Sequence, residues 1–190
     1  MNDVKTEPDE PVLVTLRGDE IAVHRDEIID FLLDLGDERK TLFIEDQTDD
    51  EYREACSGLV DRSVLLLVAY SGDDVIGISG LDRRKHGSIG DHLPLIFGYT
   101  VVIRMHQGRG IGSKLISEKN RLMRRIQAFH VMEVTRENVP MRRIVEKNSY
   151  KLVHEDASFA YYCKACSWGM ALIFPIFRLV LSIYLKYWRS

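Results

Sequence analysis

At 190 residues, 45% of them hydrophobic and 29% charged, the chain is long enough for one domain with a proper core and too short for two ordinary ones. A net charge of -3 leaves no basic footprint for nucleic acid, and three cysteines suit a reducing compartment better than a disulfide scaffold. Residues 1–10 hold four acids and one lysine and lack the basic start and apolar run of a secretory signal. They read as a disordered acidic leader on a cytoplasmic protein.

Val12 to Leu16 and Glu20 to His24 alternate about Arg17-Gly18-Asp19, the pattern of a β-hairpin with glycine at the strained turn position. Asp26 to Leu35 follows as a helix with an apolar face of Ile28, Ile29, Leu32, Leu33 and Leu35, stopped by Gly36. A second helix starts at Thr48, whose hydroxyl can cap and whose following acids suit the helix dipole, and runs to about Leu59. Val64 to Tyr70 and Val75 to Leu81 are strands joined by a Ser-Gly-Asp-Asp turn. After a polar stretch from Asp82 to Asp91 comes the apolar strand Leu95 to Ile103, then a glycine loop, then a helix to about Arg125. Phe129 to Thr135 is a strand and Asn138 to Lys147 a helix with Pro140 in its first turn. Tyr150 to His154 and Ser158 to Cys163 are the last two strands. The order implies an α/β (α+β) domain with a mixed sheet flanked by helices, spanning residues 11–165 and followed by an extra segment, 166–190.

The loop is Gln107-Gly108-Arg109-Gly110-Ile111-Gly112-Ser113. Strand, glycine loop and helix make an anion cradle: glycines let the main chain turn sharply, and the first helical turn presents unpaired amides and the positive end of the dipole. A triphosphate P-loop is excluded because Gly112 is followed by Ser113 and Lys114 in the wrong order, and the dinucleotide fingerprint wants its third glycine one position later. Cys163 and Cys166 form a lone Cys-x-x-Cys with no second pair and no downstream histidine, so they read as incidental thiols and no metal is expected.

Gln-x-x-Gly-x-Gly at 107–112 resembles the acyl-CoA-binding signature of the GNAT superfamily of N-acetyltransferases. The element order resembles that fold, mostly antiparallel, across almost all of 11–165. Arg136 to Met141 and Glu146 to Tyr150 look like the family's asparagine-led helix and the turn into its sixth strand, where Ser149-Tyr150 stands for the usual Gly-Phe.

The resemblance implies an N-acetyltransferase in which a primary amine attacks the thioester of acetyl-CoA directly in a ternary complex, without an acyl-enzyme. The acceptor would be an amino sugar or other small amine; a protein lysine or N-terminal amine, or a non-catalytic acyl-CoA-binding module, are the alternatives. It implies that the amides of Arg109 to Ser113 hold the pyrophosphate with Ser113 or Lys114, that Gln107, Gly108, Gly110, Ile111 and Gly112 shape the loop, and that main-chain groups of Val101, Val102 and Ile103 pair with the pantetheine arm. Asn138 would hold the cofactor or a water. Many relatives carry a tyrosine, as acid for the leaving thiolate, where this chain has Val145, and Tyr150 reads as packing. Candidate bases are Asp82, His86, Asp91 and His92 before the strand and Glu133 after it. His92 and Glu133 are the two selected, His92 because an unperturbed imidazole titrates near neutral pH.

Trp168 to Leu185 is almost wholly apolar, but Pro175 and Arg178 interrupt it, making a bilayer span marginal. Arg178, Ser182, Lys186 and Arg189 fall four, four and three apart, one polar stripe on an apolar helix. That spacing predicts a helix lying in the membrane surface through 168–189; packing on the domain or on a partner subunit in a homodimer competes with it.

Overall fold

A computed structural model describes residues 10–36, 48–82 and 95–188. Most of the acidic leader, and the candidate bases His86, Asp91 and His92, lie outside the described residues.

Seven strands form one sheet in the order β1-β2-β3-β4-β5-β7-β6. The strands are β1 (Val12–Leu16), β2 (Ser63–Ser71), β3 (Asp74–Asp82), β4 (Leu95–Val102), β5 (Phe129–Thr135), β6 (Lys151–Glu155) and β7 (Phe159–Ala165). Every neighbouring pair is antiparallel except β4 with β5, so the sheet is mixed and mostly antiparallel, as expected. The helices are α1 (Asp19–Val23), α2 (Arg25–Leu33), α3 (Asp49–Asp61), α4 (Ile111–Met123), α5 (Val139–Lys147) and α6 (Trp168–Trp188).

The expected first hairpin is replaced by β1 followed by α1. Residues 19–23 coil because Gly18, at φ 51°, turns the chain and the amides of Glu20 and Ile21 return to Arg17 and Gly18 carbonyls. Ile21 is buried while Val23 is 82% exposed. A strand would have put both on one face, whereas the helix aims only Ile21 inward. β1 pairs instead with β2, Val12 opposite Tyr70 and Leu16 opposite Leu66.

α3 starts as expected. Thr48 and Glu51 form a reciprocal capping box, each side chain accepting the other's main-chain amide.

One face of the sheet packs on α4 and α5, through clusters that join Ile116 and Val145 to Met132 and Val134, and Ile111 and Leu115 to Leu67 and Ala69. The opposite face is shared. α1 to α3 cover its β1–β4 half through Ile28, Leu32, Leu59 and Val68, and α6 covers its β5–β7 half. Phe177 stacks on Phe129, ring centroids 3.6 Å apart and 10° from parallel, and Leu181 and Leu185 are buried beside Val131 and Tyr161. The apolar tail is therefore a helix laid along the sheet.

Candidate active site

The site follows from an incomplete strand pair. β4 and β5 pair over only four rungs, Leu95–Phe129 to Gly98–Met132. Past that point β4 remains on β3, Val102 opposite Gly77, and β5 remains on β7, Thr135 opposite Phe159. A gap opens between them. The Ile103 amide donates to Ile76 O on β3, 3.1 Å, and the alternation of an antiparallel ladder then turns the main-chain groups of Thr100 and Val102 toward the gap. A strand edge facing a cavity can take an extended, amide-bearing ligand in place of the missing strand.

The glycine loop closes one end. A single 3-10 turn, Arg104–His106, leads into it, and Gly108 and Gly110 adopt left-handed φ values of 77° and 81° that side-chain-bearing residues rarely take. Gly110 caps α4 with no side chain to satisfy the first amides. The first helical bond runs from Lys114 N to Gly110 O, which leaves the amides of Ile111, Gly112 and Ser113 without intrahelical acceptors. No acid lies in that turn. Gln107 ties the loop to the strand, its Nε2 donating to Val102 O at 2.9 Å.

The result is a cleft of about 300 Å³ lined by 100–102, 106–108, 110–113 and, from α5, Asn138, Pro140, Met141 and Ile144. Of the residues read from the sequence, Val101, Val102, Gln107, Gly108, Gly110, Ile111, Gly112, Ser113 and Asn138 meet here, although Val101, opposite Ile78, turns its main-chain groups to β3 and not to the cleft as expected. Three others do not. Ile103 spends its amide on β3, the exposed Arg109 is outside the lining, and Lys114 pairs with Glu10 on the far side of the helix. Asn138 is the N-cap of α5, its Oδ1 accepting from Met141 N at 3.1 Å. Thr100, His106, Met141 and Ile144 were not singled out by the sequence; only the amphipathic spacing of α5 could have signalled the last two.

Val145 is buried between Ile116, Met132 and Val134, an apolar setting in keeping with valine. Tyr150 is 2% exposed and its hydroxyl donates to Asn120 Oδ1 at 2.7 Å, so the Nδ1–H of His130 donates to that hydroxyl in turn. Burial pushes the Tyr150 phenol well above its ordinary value and the His130 imidazole well below. Both are neutral core groups. The ring fits because residue 98 is glycine: a Cβ there would stand 1.9 Å from His130 Nε2.

Lys119, on the third turn of α4, is fully buried beneath the point where the strands part. Its Nζ donates to Tyr99 O at 3.1 Å and to Thr100 Oγ1 at 3.2 Å, and lies 3.6 Å from Met132 Sδ. Burial lowers its pKa to about 7. Thr100 also hydrogen-bonds Ser79, at 2.6 Å, so a buried polar chain runs from α4 through the floor of the cleft.

Glu133 lies one residue past the last β4–β5 rung, opposite Tyr161, on the sheet face away from α4 and α5. The Tyr161 hydroxyl is 3.4 Å from its Oε1 and 3.1 Å from Asp156 Oδ2. Asp82 ends β3 opposite Phe97, at the end of the sheet remote from the glycine loop, with Arg62 Nε 3.4 Å away. Burial pushes the Cys166 thiol up to about 11 and that of Cys163 higher still, so both are protonated at neutral pH and unreactive.

The sequence profile of the Acetyltransferase (GNAT) family matches residues 29–150. An acetyltransferase of the GNAT family from Streptococcus pneumoniae aligns in structure with a TM-score of 0.58 at 15% identity, over 82% of this chain and 99% of its own. The Salmonella typhimurium protein yncA, solved with its cofactor acetyl-CoA, gives 0.59 at 12% identity over 83% and 95%, and the GNAT domain of S. lividans PAT gives 0.59 at 17% over 82% and 90%. At such identities the likeness is one of fold. No curated protein matches the chain in sequence. The profile runs from within α2 to Tyr150 and takes in the open strand edge, the glycine loop and α5, so the chain belongs to the GNAT family of acetyltransferases.

Proposed function

We propose that this acetyltransferase moves acetyl from acetyl-CoA to the primary amine of a small molecule, such as an amino sugar, by direct attack within a ternary complex. The observation that carries the reading is the conjunction of an open β4 edge with a helix N-terminus whose amides face the same cleft. Bound acetyl-CoA supplies an acyl group already activated as a thioester.

The residues present fit that co-substrate. Amides of Ile111, Gly112 and Ser113 offer the pyrophosphate a cradle, and a Cβ at Gly108 or Gly110 would meet nothing within 4 Å, so the loop leaves room for phosphate oxygens. Main-chain groups of Thr100 and Val102 offer the pantetheine amides a strand to pair with. A β4 amide directed at the thioester oxygen would stabilise the negative charge that grows there as the amine attacks. Met141 and Ile144 keep one wall apolar and exclude water.

Glu133 is the candidate base within the described residues, acting through water on an amine that must lose a proton before it attacks. No phenol stands at Val145, so the thiolate leaves without a tyrosine donor, as a thiol pKa of about 8.5 permits. Three unbridged cysteines accord with a reducing, cytoplasmic setting.

The test is mass-spectrometric detection of acetylated product from a panel of amino sugars, polyamines and lysine peptides. Turnover of small amines alone supports the proposal. Turnover confined to peptides replaces it with protein acetylation, and no turnover on any amine opposes it.

A further inference from the structure

We propose that the outer face of α6 is a docking surface for an anionic lipid bilayer, with the helix lying in the membrane plane between its own domain and the headgroups. This inference stands apart from the transfer reading and rests on three observations.

The first is that α6 is apolar on two opposite sides. Its inner side is committed to the sheet through Phe177, Leu181 and Leu185. Turned half a revolution away, Leu172, Ile176, Leu179 and Ile183 recur four, three and four residues apart and are 73%, 73%, 64% and 51% exposed. Exposed apolar side chains in such a continuous row mark an interaction surface, whereas single ones do not. Trp168, 86% exposed, stands at one end of the row, where an amphipathic ring suits the boundary between water and hydrocarbon.

The second is charge. Arg178 and Lys186 are exposed along one flank of the row, each within reach of the surface it would rest on. From residue 157 to the end there is no Asp or Glu, in a chain whose net charge is -3. A cationic flank on an apolar row complements anionic headgroups above a hydrocarbon boundary. It opposes pairing with a second α6, which would bring cations together with no carboxylate on either helix to offset them.

The third is orientation. The hydropathy of 168–186 would suit a span, but crossing a bilayer would strip α6 from the sheet and break the Phe129–Phe177 stack. With that stack kept, the helix meets the membrane side-on.

The test is co-flotation of the full-length protein with vesicles of phosphatidylcholine and phosphatidylglycerol in equal parts, and with phosphatidylcholine alone. The expected result is flotation on the mixed vesicles, weakened at high salt and on the neutral ones. Arg178→Glu with Lys186→Glu should weaken partition more than about thirtyfold, the factor that loss of two cations alone would give, and Leu172→Glu with Leu179→Glu should abolish it, both with circular dichroism and acetyl-CoA affinity unchanged. Three results would overturn the inference: no preference for anionic vesicles, the same partition after charge reversal, or a solution dimer that Leu172→Glu with Leu179→Glu turns into monomers while vesicles bind neither form. The last would assign the face to a second copy of the chain.

Discussion

Lys119→Met is the substitution with the most calculable consequence. The side chain is fully buried, with donors directed at Tyr99 O and Thr100 Oγ1, and no carboxylate stands among those partners. Desolvation therefore lowers its pKa from 10.5 to about 7. The sign follows from where the proton sits. Between those two values the unfolded chain holds a proton that the folded protein has released, so this group makes stability rise with pH and lowers it as pH falls toward 7. From pH 7 to pH 9, at 1.36 kcal/mol per unit and allowing for the proton half-bound at pH 7, the gain is about 2 kcal/mol. The cysteines act in the opposite direction, because burial raises their thiol pKa values, but they are common to both proteins and cancel in a comparison. Urea unfolding of wild type and Lys119→Met, followed by far-UV circular dichroism at both pH values and matched ionic strength, reads the difference directly. The stability of wild type relative to the variant should grow by about 2 kcal/mol from pH 7 to pH 9. An unchanged difference would show that the ammonium is hydrated and that the pocket under the strand gap is open to water.

Gly98→Ala should destabilise by about 3 kcal/mol, because its Cβ would fall 1.9 Å from the buried His130 ring; a shift in urea midpoint worth less than about 0.5 kcal/mol would mean that the ring moves freely. Asn138→Ala should cost about 1 kcal/mol through loss of the α5 cap, and a larger effect on acetyl-CoA affinity than on stability would show that the side chain also serves the cleft. Glu133→Gln should lower kcat about a hundredfold and leave the KM for acetyl-CoA unchanged, whereas unaltered turnover at all pH values would remove Glu133 as the base.

What could be read in the chain was mostly local. Thr48 signalled a cap, which the structure completes with Glu51, and Ser-Gly-Asp-Asp marked the β2–β3 turn, with Gly72 at φ 61°. The glycine loop announced its own conformation, since Gly108 and Gly110 occupy backbone space that few other residues share. Residues 20–24 misled because five residues satisfy a period of two nearly as well as one of 3.6, and only the burial of Ile21 against exposed Val23 separates them.

Long-range placement was beyond reach. Lys114 follows the loop as a phosphate-binding lysine would, yet Glu10, far earlier in the chain, holds it on the other side of α4. Lys119 lies by its spacing in the apolar stripe of α4, three and four residues from Ile116, Leu115 and Met123, but the polar partners that hold it there, Tyr99 O and Thr100 Oγ1, come from the distant strand β4. The tail's polar stripe was visible in its spacing, but that both remaining sides of α6 are apolar, one inward and one outward, emerged only when the sheet supplied a face for Phe177 to cover.

The central claim is that the open edge of β4 and the N-terminus of α4 together bind acetyl-CoA. Isothermal titration of acetyl-CoA into the full-length protein and into Gly110→Glu tests it most directly. A carboxylate at Gly110 would enter the phosphate cradle from open space, where a Cβ meets nothing within 4 Å, and its backbone would be strained at φ 81°. The account predicts saturable one-to-one binding by the wild type and none by a folded Gly110→Glu protein. Equal binding by both would contradict it, because the pyrophosphate would then lie elsewhere.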